Sequence, residues 1–480
     1  MTDDRTAPVA EAIVCGGGLA GVLAARALAE HARVTVVESD LLPEEPEHRR
    51  GQPQARHAHL LWSGGARAIE ELAPGTIGEL VARGAHRVSI PRDMVALSPR
   101  GWFRRWPESH HVIVCSRPLL DSVLRRRVLA HPRITVLEGT RVLGLTGDRR
   151  AVTGVRTDSA GPRPARLPAD LVVDATGRGS RTRVWLEDLG LPVPAQRVVD
   201  PGLVYASRTF RAPVHARHGF PVVTVQADPR GPGPGQAGTI APVEGGRWLV
   251  TLSGTRGGEP TGSAEDFVPF ALGLRHPVIG RLLAGATPLT GVAVTRSTAN
   301  RRTYYERVRC WPDGLAVVGD ALATYDPVYG QGMSVAAQSA VALRETITRH
   351  GWGPGLARRV QRAVARPVAS AWDMAVGQDV FYPGAVPGGP SLRDRLVAAY
   401  VSRLLYSSTG DEAMAYALTR VTSMEHGAPA LLRPRVLLGA LRGPRRPPLG
   451  GPPLSDEEMG AATTPSPAPA GPASLPTRAR

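Results

Sequence analysis

The residues best placed to do chemistry come early in the chain. Gly16-Gly17-Gly18-Leu19-Ala20-Gly21 has the spacing G-x-G-x-x-G, set between a short apolar run, Ala12-Ile13-Val14, and an Ala/Leu-rich stretch from Leu19 to Glu30. At the end of a strand and the start of a helix, each glycine has a separate job. Gly16 permits the tight turn, Gly18 lets a pyrophosphate approach the backbone, and Gly21 lets helix and strand pack closely. The helix opening at Leu19 and Ala20 offers free N–H groups and the positive end of its dipole to the phosphates. Glu38 follows a second β-branched run, Val34-Thr35-Val36-Val37, where a carboxylate can accept hydrogen bonds from ribose hydroxyls. Strand, turn, helix, strand and acid in this order predict a βαβ unit that binds a dinucleotide, either a flavin or a nicotinamide.

Further segments choose between the two. Gly314-Leu315-Ala316-Val317-Val318-Gly319-Asp320 ends an apolar strand on a carboxylate, and Asp326-Pro327-Val328-Tyr329-Gly330-Gln331-Gly332-Met333 opens a second helix with glycines. Asp170-Leu171-Val172-Val173-Asp174-Ala175-Thr176-Gly177 lies between. Arg117 sits in the first turn of a helix predicted over 117–130, with Ser116 as its N-cap. With these motifs the chain resembles the glutathione-reductase-type flavoproteins, specifically their flavin monooxygenase branch. The resemblance implies FAD. It places Gly16, Gly18, Leu19, Ala20, Gly21 and Glu38 at the adenosine diphosphate half, with Arg117 and Arg50 facing the phosphates or ribose. Asp320 would take the ribitol, and Pro327, Gly330, Gly332 and Met333 the edge of the flavin ring. A helix N-terminus aimed at that edge favours negative charge on the reduced ring.

A closer resemblance spans roughly residues 10–440. Arg50-Gly51-Gln52-Pro53-Gln54-Ala55-Arg56-His57-Ala58-His59, Trp62-Ser63-Gly64-Gly65-Ala66-Arg67, Gly84-Ala85-His86-Arg87 and Thr251 to Pro260 are similar to the flavin-dependent epoxidases of polyether ionophore biosynthesis, of the monensin and lasalocid type. That resemblance implies epoxidation of the alkenes of a linear polyene polyketide, free or attached to a carrier. The oxidant would be a flavin C4a-hydroperoxide made from O₂, so no catalytic side chain is required. NAD(P)H would supply the electrons, directly or through a partner flavin reductase. An aromatic or polyketide hydroxylase of the same family and a flavin-dependent polyene reductase are the alternatives.

Composition removes other classes. All 58 basic residues are arginine. A Schiff-base lysine, a P-loop lysine and the lysine that flavin halogenases use are therefore excluded. The net charge of +16 is spread along the chain without a basic-aromatic module, so no nucleic-acid partner is expected. Cys15, Cys115 and Cys310 form no C-x-x-C pair, which fits a reducing cytoplasm and no zinc. His57 and His59 have no evident third partner, so no metal is expected. The acidic N-terminus does not read as a signal peptide, and no apolar run reaches the ~18 residues of a membrane span.

The elements that must position these residues follow from periodicity. The expected fold is α/β: a discontinuous Rossmann-like FAD-binding domain of glutathione-reductase type (8–91, 116–200 and 296–350) carrying an inserted substrate domain (92–115 and 201–295). The insert reads as an antiparallel sheet with strands at Leu203–Arg211, Pro221–Ala227, Gln236–Val243 and Arg247–Thr255, and a hairpin at Glu244-Gly245-Gly246. Trp102, Tyr205, Phe210, Phe220 and Trp248 lie in or beside it, either lining a pocket or filling a core. Residues 351–442 read as helical, and the Pro/Gly/Ala-rich 443–480 as a disordered tail.

Overall fold

The β-branched runs form parallel strands. The computed structural model describes residues 9–158 and 165–463, without the side chains of 461–463. Ala10–Cys15 (β1) leads through the glycine turn into the helix Leu19–Ala29 (α1) and back to Ala32–Val37 (β2). A second helix, Arg117–Leu129 (α2), precedes Ile134–Leu137 (β3), and Leu171–Asp174 (β4) and Leu315–Val317 (β5) complete a five-stranded sheet in the order β5-β4-β1-β2-β3. Every pair is parallel. The middle strands are covered on both faces, which is why they read as continuous apolar runs rather than alternations. The chain leaves β1 toward β2 while β4 lies on β1's other side, and the glycine turn sits at that switch of direction, where open α/β sheets bind their ligands. The small residues of α1 let it lie close to the helix Gly332–His350 (α3).

The insert forms an eight-stranded sheet. Val204–Arg211, Arg247–Gly254, Gln236–Val243 and Val222–Val225 pair antiparallel in that order, and the hairpin turns at Gly245 (φ 74°) and Gly246 (φ 65°). One junction departs from the expected pattern: Val222–Val225 runs parallel to Met94–Ser98. The segment 92–115 is also divided, because His110–Val114 pairs with Leu60–Trp62 and His86–Ile90 in a separate small sheet. Outer-face residues Phe210 and Trp248, with Phe220, build a second core under the helices Phe267–Leu272 and Val278–Leu282.

After the helix Leu356–Asp379 (α4), further helices cover Leu392–Ser408, Glu412–Thr422 and Pro434–Arg442. The tail corrects the sequence reading. Leu449, Leu454 and Met459 pack on the second core, Arg105 pairs with Glu458 at 2.7 Å, and Asp456–Thr463 is helical. Three apolar residues spaced among prolines suffice to dock the segment, although its average composition resembles a disordered one. Residues 464–480 lie outside the described residues. Among the described residues, no helix is long and apolar enough to cross a membrane.

Candidate cofactor site

The glycine turn has the geometry its spacing predicts. Gly16 sits at φ +103°, and a Cβ there would lie 2.7 Å from the Ala175 carbonyl oxygen. A Cβ on Gly21 would lie 1.8 Å from the Gly16 carbonyl oxygen. Gly18 is different: its nearest neighbour would be Gln52 Nε2, at 3.7 Å, so the approach to the backbone is open. No side chain caps α1, which leaves its first-turn N–H groups, at Leu19 and Ala20, pointing into that opening. Glu38 stands at the end of β2. Its Oε2 accepts the Gly17 N–H at 2.7 Å and its Oε1 the Asp40 N–H at 2.9 Å. Oε1 also accepts the Ser39 hydroxyl at 3.1 Å, so Oε2 is the oxygen that keeps a lone pair for a further donor.

The arginine at this turn is Arg49, and Arg50 is exposed. Arg49 is buried, donates to the Gly17 carbonyl at 3.3 Å and lies 3.6 Å from Glu38. Its Nε and Nη1 have no hydrogen-bond partner. Buried guanidinium donors without acceptors are rare, and the oxygens of a ribose-pyrophosphate would supply them. Arg49→Leu is therefore expected to weaken FAD binding roughly 10–100-fold, the worth of one or two charge-assisted hydrogen bonds. Arg50→Leu should bind as wild type. Fluorescence titration of apoprotein with FAD measures both, and equal affinities would refute the assignment.

Arg117 is buried at the start of α2 with its Nε on Asp121 at 2.8 Å, and Ser116 caps the helix through the Leu119 N–H. Its charge acts on both Asp320 and His59. Asp320 follows β5 in a short turn. Surrounding protein pushes its carboxyl above the ordinary range, against the pull of Arg178, Arg117 and Arg301, yet its side chain keeps 42% of its exposure. The carboxylate is thus partly open to solvent, as a ribitol ligand requires. Asp174, by contrast, is spent on structure. It is fully buried and accepts from the Thr176 N–H (2.9 Å), the Thr176 hydroxyl (2.6 Å), the Ser180 hydroxyl (2.5 Å) and the Thr182 hydroxyl.

At the ring edge, Pro327 is exposed in the turn Pro327–Tyr329, and Gly330 takes φ +63° beneath Trp62, whose Nε1 donates to the Tyr329 carbonyl at 3.2 Å. Gly332 opens α3 with nothing within 4 Å of its Cβ position, no side chain caps the helix, and Met333 turns inward. Free N–H groups on an open backbone, the partly exposed Asp320 carboxylate and the Arg49 donors without hydrogen-bond partners together fit FAD. Gly64 and Gly65 serve packing instead: a Cβ on Gly65 would lie 2.3 Å from Ser334 Oγ.

The face of the large sheet turned toward this site is rich in hydroxyls. His57 bonds Ser207 and Thr295, each at 2.8 Å, and Ser207 bonds Thr251 at 2.7 Å. Burial lowers the His57 pKa to about 4; burial and then the Arg117 charge lower that of His59 to about 3, so both rings are neutral at pH 7. With both ring nitrogens of His57 engaged, it is held as a neutral spacer. Of the five aromatics singled out in the insert, Trp102, Phe210, Phe220 and Trp248 fill the second core, while Tyr205 faces the site and donates to Asp326 at 2.9 Å. Arg49, Trp62 and Asp326 lie beside the expected site residues without having been assigned a role from spacing. Only Trp62 and Asp326 stood in a motif.

Comparison with known proteins gives the family and the fold. The model of the FAD binding domain family matches residues 9–375. Protein Rv3254 of Mycobacterium tuberculosis is 33% identical over 397 residues, covering 80% of this chain and 83% of that one. A 6-methylpretetramide 4-monooxygenase of Streptomyces rimosus is 28% identical, covering 72% of this chain and 76% of that one. Among solved structures, Klebsiella pneumoniae HpxO in complex with FAD superposes with a TM-score of 0.59 at 18% identity, over 87% of this chain and 99% of that one. The flavin-dependent halogenase CmlS does so with 0.60 at 19% identity, over 87% and 78%. Both structures share the fold. The chain belongs to the FAD binding domain family of flavin-dependent monooxygenases.

Proposed function

We propose that this monooxygenase epoxidises the alkenes of a linear polyene polyketide, in the manner of the polyether epoxidases its motifs resemble. When bound and reduced, FAD supplies the activation of O₂; NAD(P)H is the source of electrons, directly or through a partner reductase. One oxygen atom enters the alkene and the other leaves as water. The residues of the chain bind and orient. Glu38, Arg49 and the α1 N-terminus hold the adenosine diphosphate half, Asp320 the ribitol, and the Gly330–Met333 backbone the ring.

The observation that carries the reading is the way His57 is held beside the large sheet. Both of its ring nitrogens are engaged by hydroxyls, of Ser207 and Thr295, and burial lowers the pKa of both His57 and His59. An alkene attacks an electrophilic oxygen without giving up a proton, so a site that positions without accepting a proton suits it. A phenol gains reactivity when a base removes its proton.

The relatives favour a second reading, a polyketide or aromatic hydroxylase, since they include the 6-methylpretetramide 4-monooxygenase and kynurenine 3-monooxygenases. Incubation of the flavin-loaded protein with NADPH, ¹⁸O₂ and either a linear polyene or a phenolic polyketide separates the two. One labelled oxygen per alkene in the polyene product is expected. A hydroxylated phenol with untouched polyene would overturn the epoxidase reading, and an unlabelled saturated polyene would identify a reductase.

A further inference from the structure

Behind the α3 helix start, five side chains from four separate elements meet in a buried polar cluster. Asp326 Oδ1 accepts from the Tyr205 hydroxyl and from the Val328 N–H, each at 2.9 Å. Asp379, the last residue of α4, accepts the Tyr329 hydroxyl on Oδ1 at 3.1 Å and the Asn300 amide on Oδ2 at 2.6 Å. Asn300 in turn accepts the Asp326 N–H at 2.7 Å. Asn300 thus links the two residues, donating to the Asp379 carboxyl and accepting from the Asp326 backbone. Asp326 is 3% exposed and Asp379 1%.

Among the described residues neither carboxyl has an arginine within ion-pair distance; the hydrogen-bond partners of the two are phenols, an amide and a backbone N–H. Two buried carboxylates joined through one amide, with no cation in contact, cannot both keep a full negative charge at low cost, so a proton on the pair is favoured. The charge count agrees. Arg178 is the cation whose field reaches Asp326, and the other titratable groups facing the pair are the phenols of Tyr205, Tyr329 and Tyr382. One guanidinium can balance one buried negative charge but not two.

We propose that Asp326 and Asp379 hold one shared proton at neutral pH, and that Asp379 is thereby a positioning residue for the flavin-ring loop. The shared proton ties α4 to the Asp326–Gly330 loop, and Tyr205 ties that loop to the substrate sheet. This inference rests on the reading that Gly330, Gly332 and Met333 face the ring. Burial, strengthened for Asp379 by the negative partner, pushes Asp379 well above the ordinary carboxyl range and Asp326 to about 6, in keeping with a singly protonated pair at pH 7.

Infrared spectroscopy of the apoprotein tests the proton directly. A protonated carboxylic acid band should persist at pH 8 in wild type and vanish in both Asp379→Asn and Asp326→Asn, each of which leaves one carboxyl. Either variant suffices if the other does not fold. Its absence from wild type, or its survival in a folded variant, overturns the proposal.

Stability gives an independent count. Asp379 stays protonated in the fold while the unfolded chain ionises it above about pH 4. Wild type should therefore lose folding equilibrium constant relative to Asp379→Asn, about tenfold per pH unit, until the folded carboxyl itself ionises. Parallel pH profiles would overturn the proposal.

FAD titration tests positioning. Asp379→Ala should bind roughly tenfold more weakly and Asp379→Asn within about threefold of wild type, as expected when one or two hydrogen bonds are lost or kept. Wild-type affinity in Asp379→Ala overturns the positioning role. Failure of wild type to bind FAD at any pH overturns the flavin reading instead, while the infrared band still decides the proton.

Discussion

Gly21→Ala is expected to yield protein that keeps little or no flavin through purification. The added Cβ would sit 1.8 Å from the Gly16 carbonyl oxygen, and neither partner is free to yield. Gly16 is held by its φ of +103°, by its N–H on the Val37 carbonyl at 2.8 Å and by the Ala175 carbonyl beneath it. The helix α1 is wedged between the parallel sheet and α3. Relief requires α1 to move outward by more than an ångström, and the N–H groups of Gly18, Leu19 and Ala20 move with it. Overpacking of this kind costs about 1–3 kcal/mol in stability. The loss of phosphate alignment should weaken FAD by roughly 100-fold or more, since several charge-assisted hydrogen bonds fail together. Gly78→Ala is the control, because a Cβ there meets nothing within 4 Å in the middle of a short helix. It should bind flavin normally and gain up to about 1 kcal/mol of stability. Absorbance of bound flavin after gel filtration, with a titration of apoprotein, measures both. A yellow Gly21→Ala protein of full occupancy would mean that the turn does not hold the pyrophosphate.

The contrast between what spacing revealed and what it hid is physical. Gly16, Gly18, Gly21 and Glu38 could be placed because strand, turn and helix are consecutive, and each glycine is required by contacts a few residues away. The arginine that turns inward, Arg49, could not be told from Arg50 for the opposite reason. Residues 38–59 follow an irregular path with no period of 2 or 3.6, so nothing local tells whether Arg49 or Arg50 points inward. The Tyr205–Asp326–Asn300–Asp379 cluster was invisible because its members meet only through tertiary packing. The parallel pairing of Met94–Ser98 with Val222–Val225 is hidden in the same way, since both runs look like ordinary strands and their partnership crosses more than a hundred residues. Average composition hid the docking of Leu449, Leu454 and Met459. The face of the large sheet toward the site, with Ser207 and Thr251 around His57, depends on strand register and gives no signal of its own.

Asp174→Ala should cost more stability than any cofactor-binding variant, although Asp174 stands beside the same turn. Its carboxylate collects the Thr176 N–H and three hydroxyls, from Thr176, Ser180 and Thr182, in a fully buried setting. Removing it strands the Thr176 N–H, whose direction the backbone fixes, and forces three hydroxyls to rotate in search of acceptors. Breaking such a buried charged network costs about 3–5 kcal/mol, or a fall of roughly 10 °C in melting temperature for a domain of this size. Asp174→Asn should fall between, because its amide keeps one oxygen and the shape but presents an NH₂ to groups that donate. The pattern across ligands separates this role from that of Arg49 or Gly21. Saturating FAD should raise the melting temperature of Asp174→Ala nearly as much as it raises that of wild type, because the folded fraction keeps an intact turn. For Gly21→Ala the increment should vanish. Thermal melts with and without FAD read both quantities at once, and an Asp174→Ala protein as stable as wild type would show that the four donors find other partners.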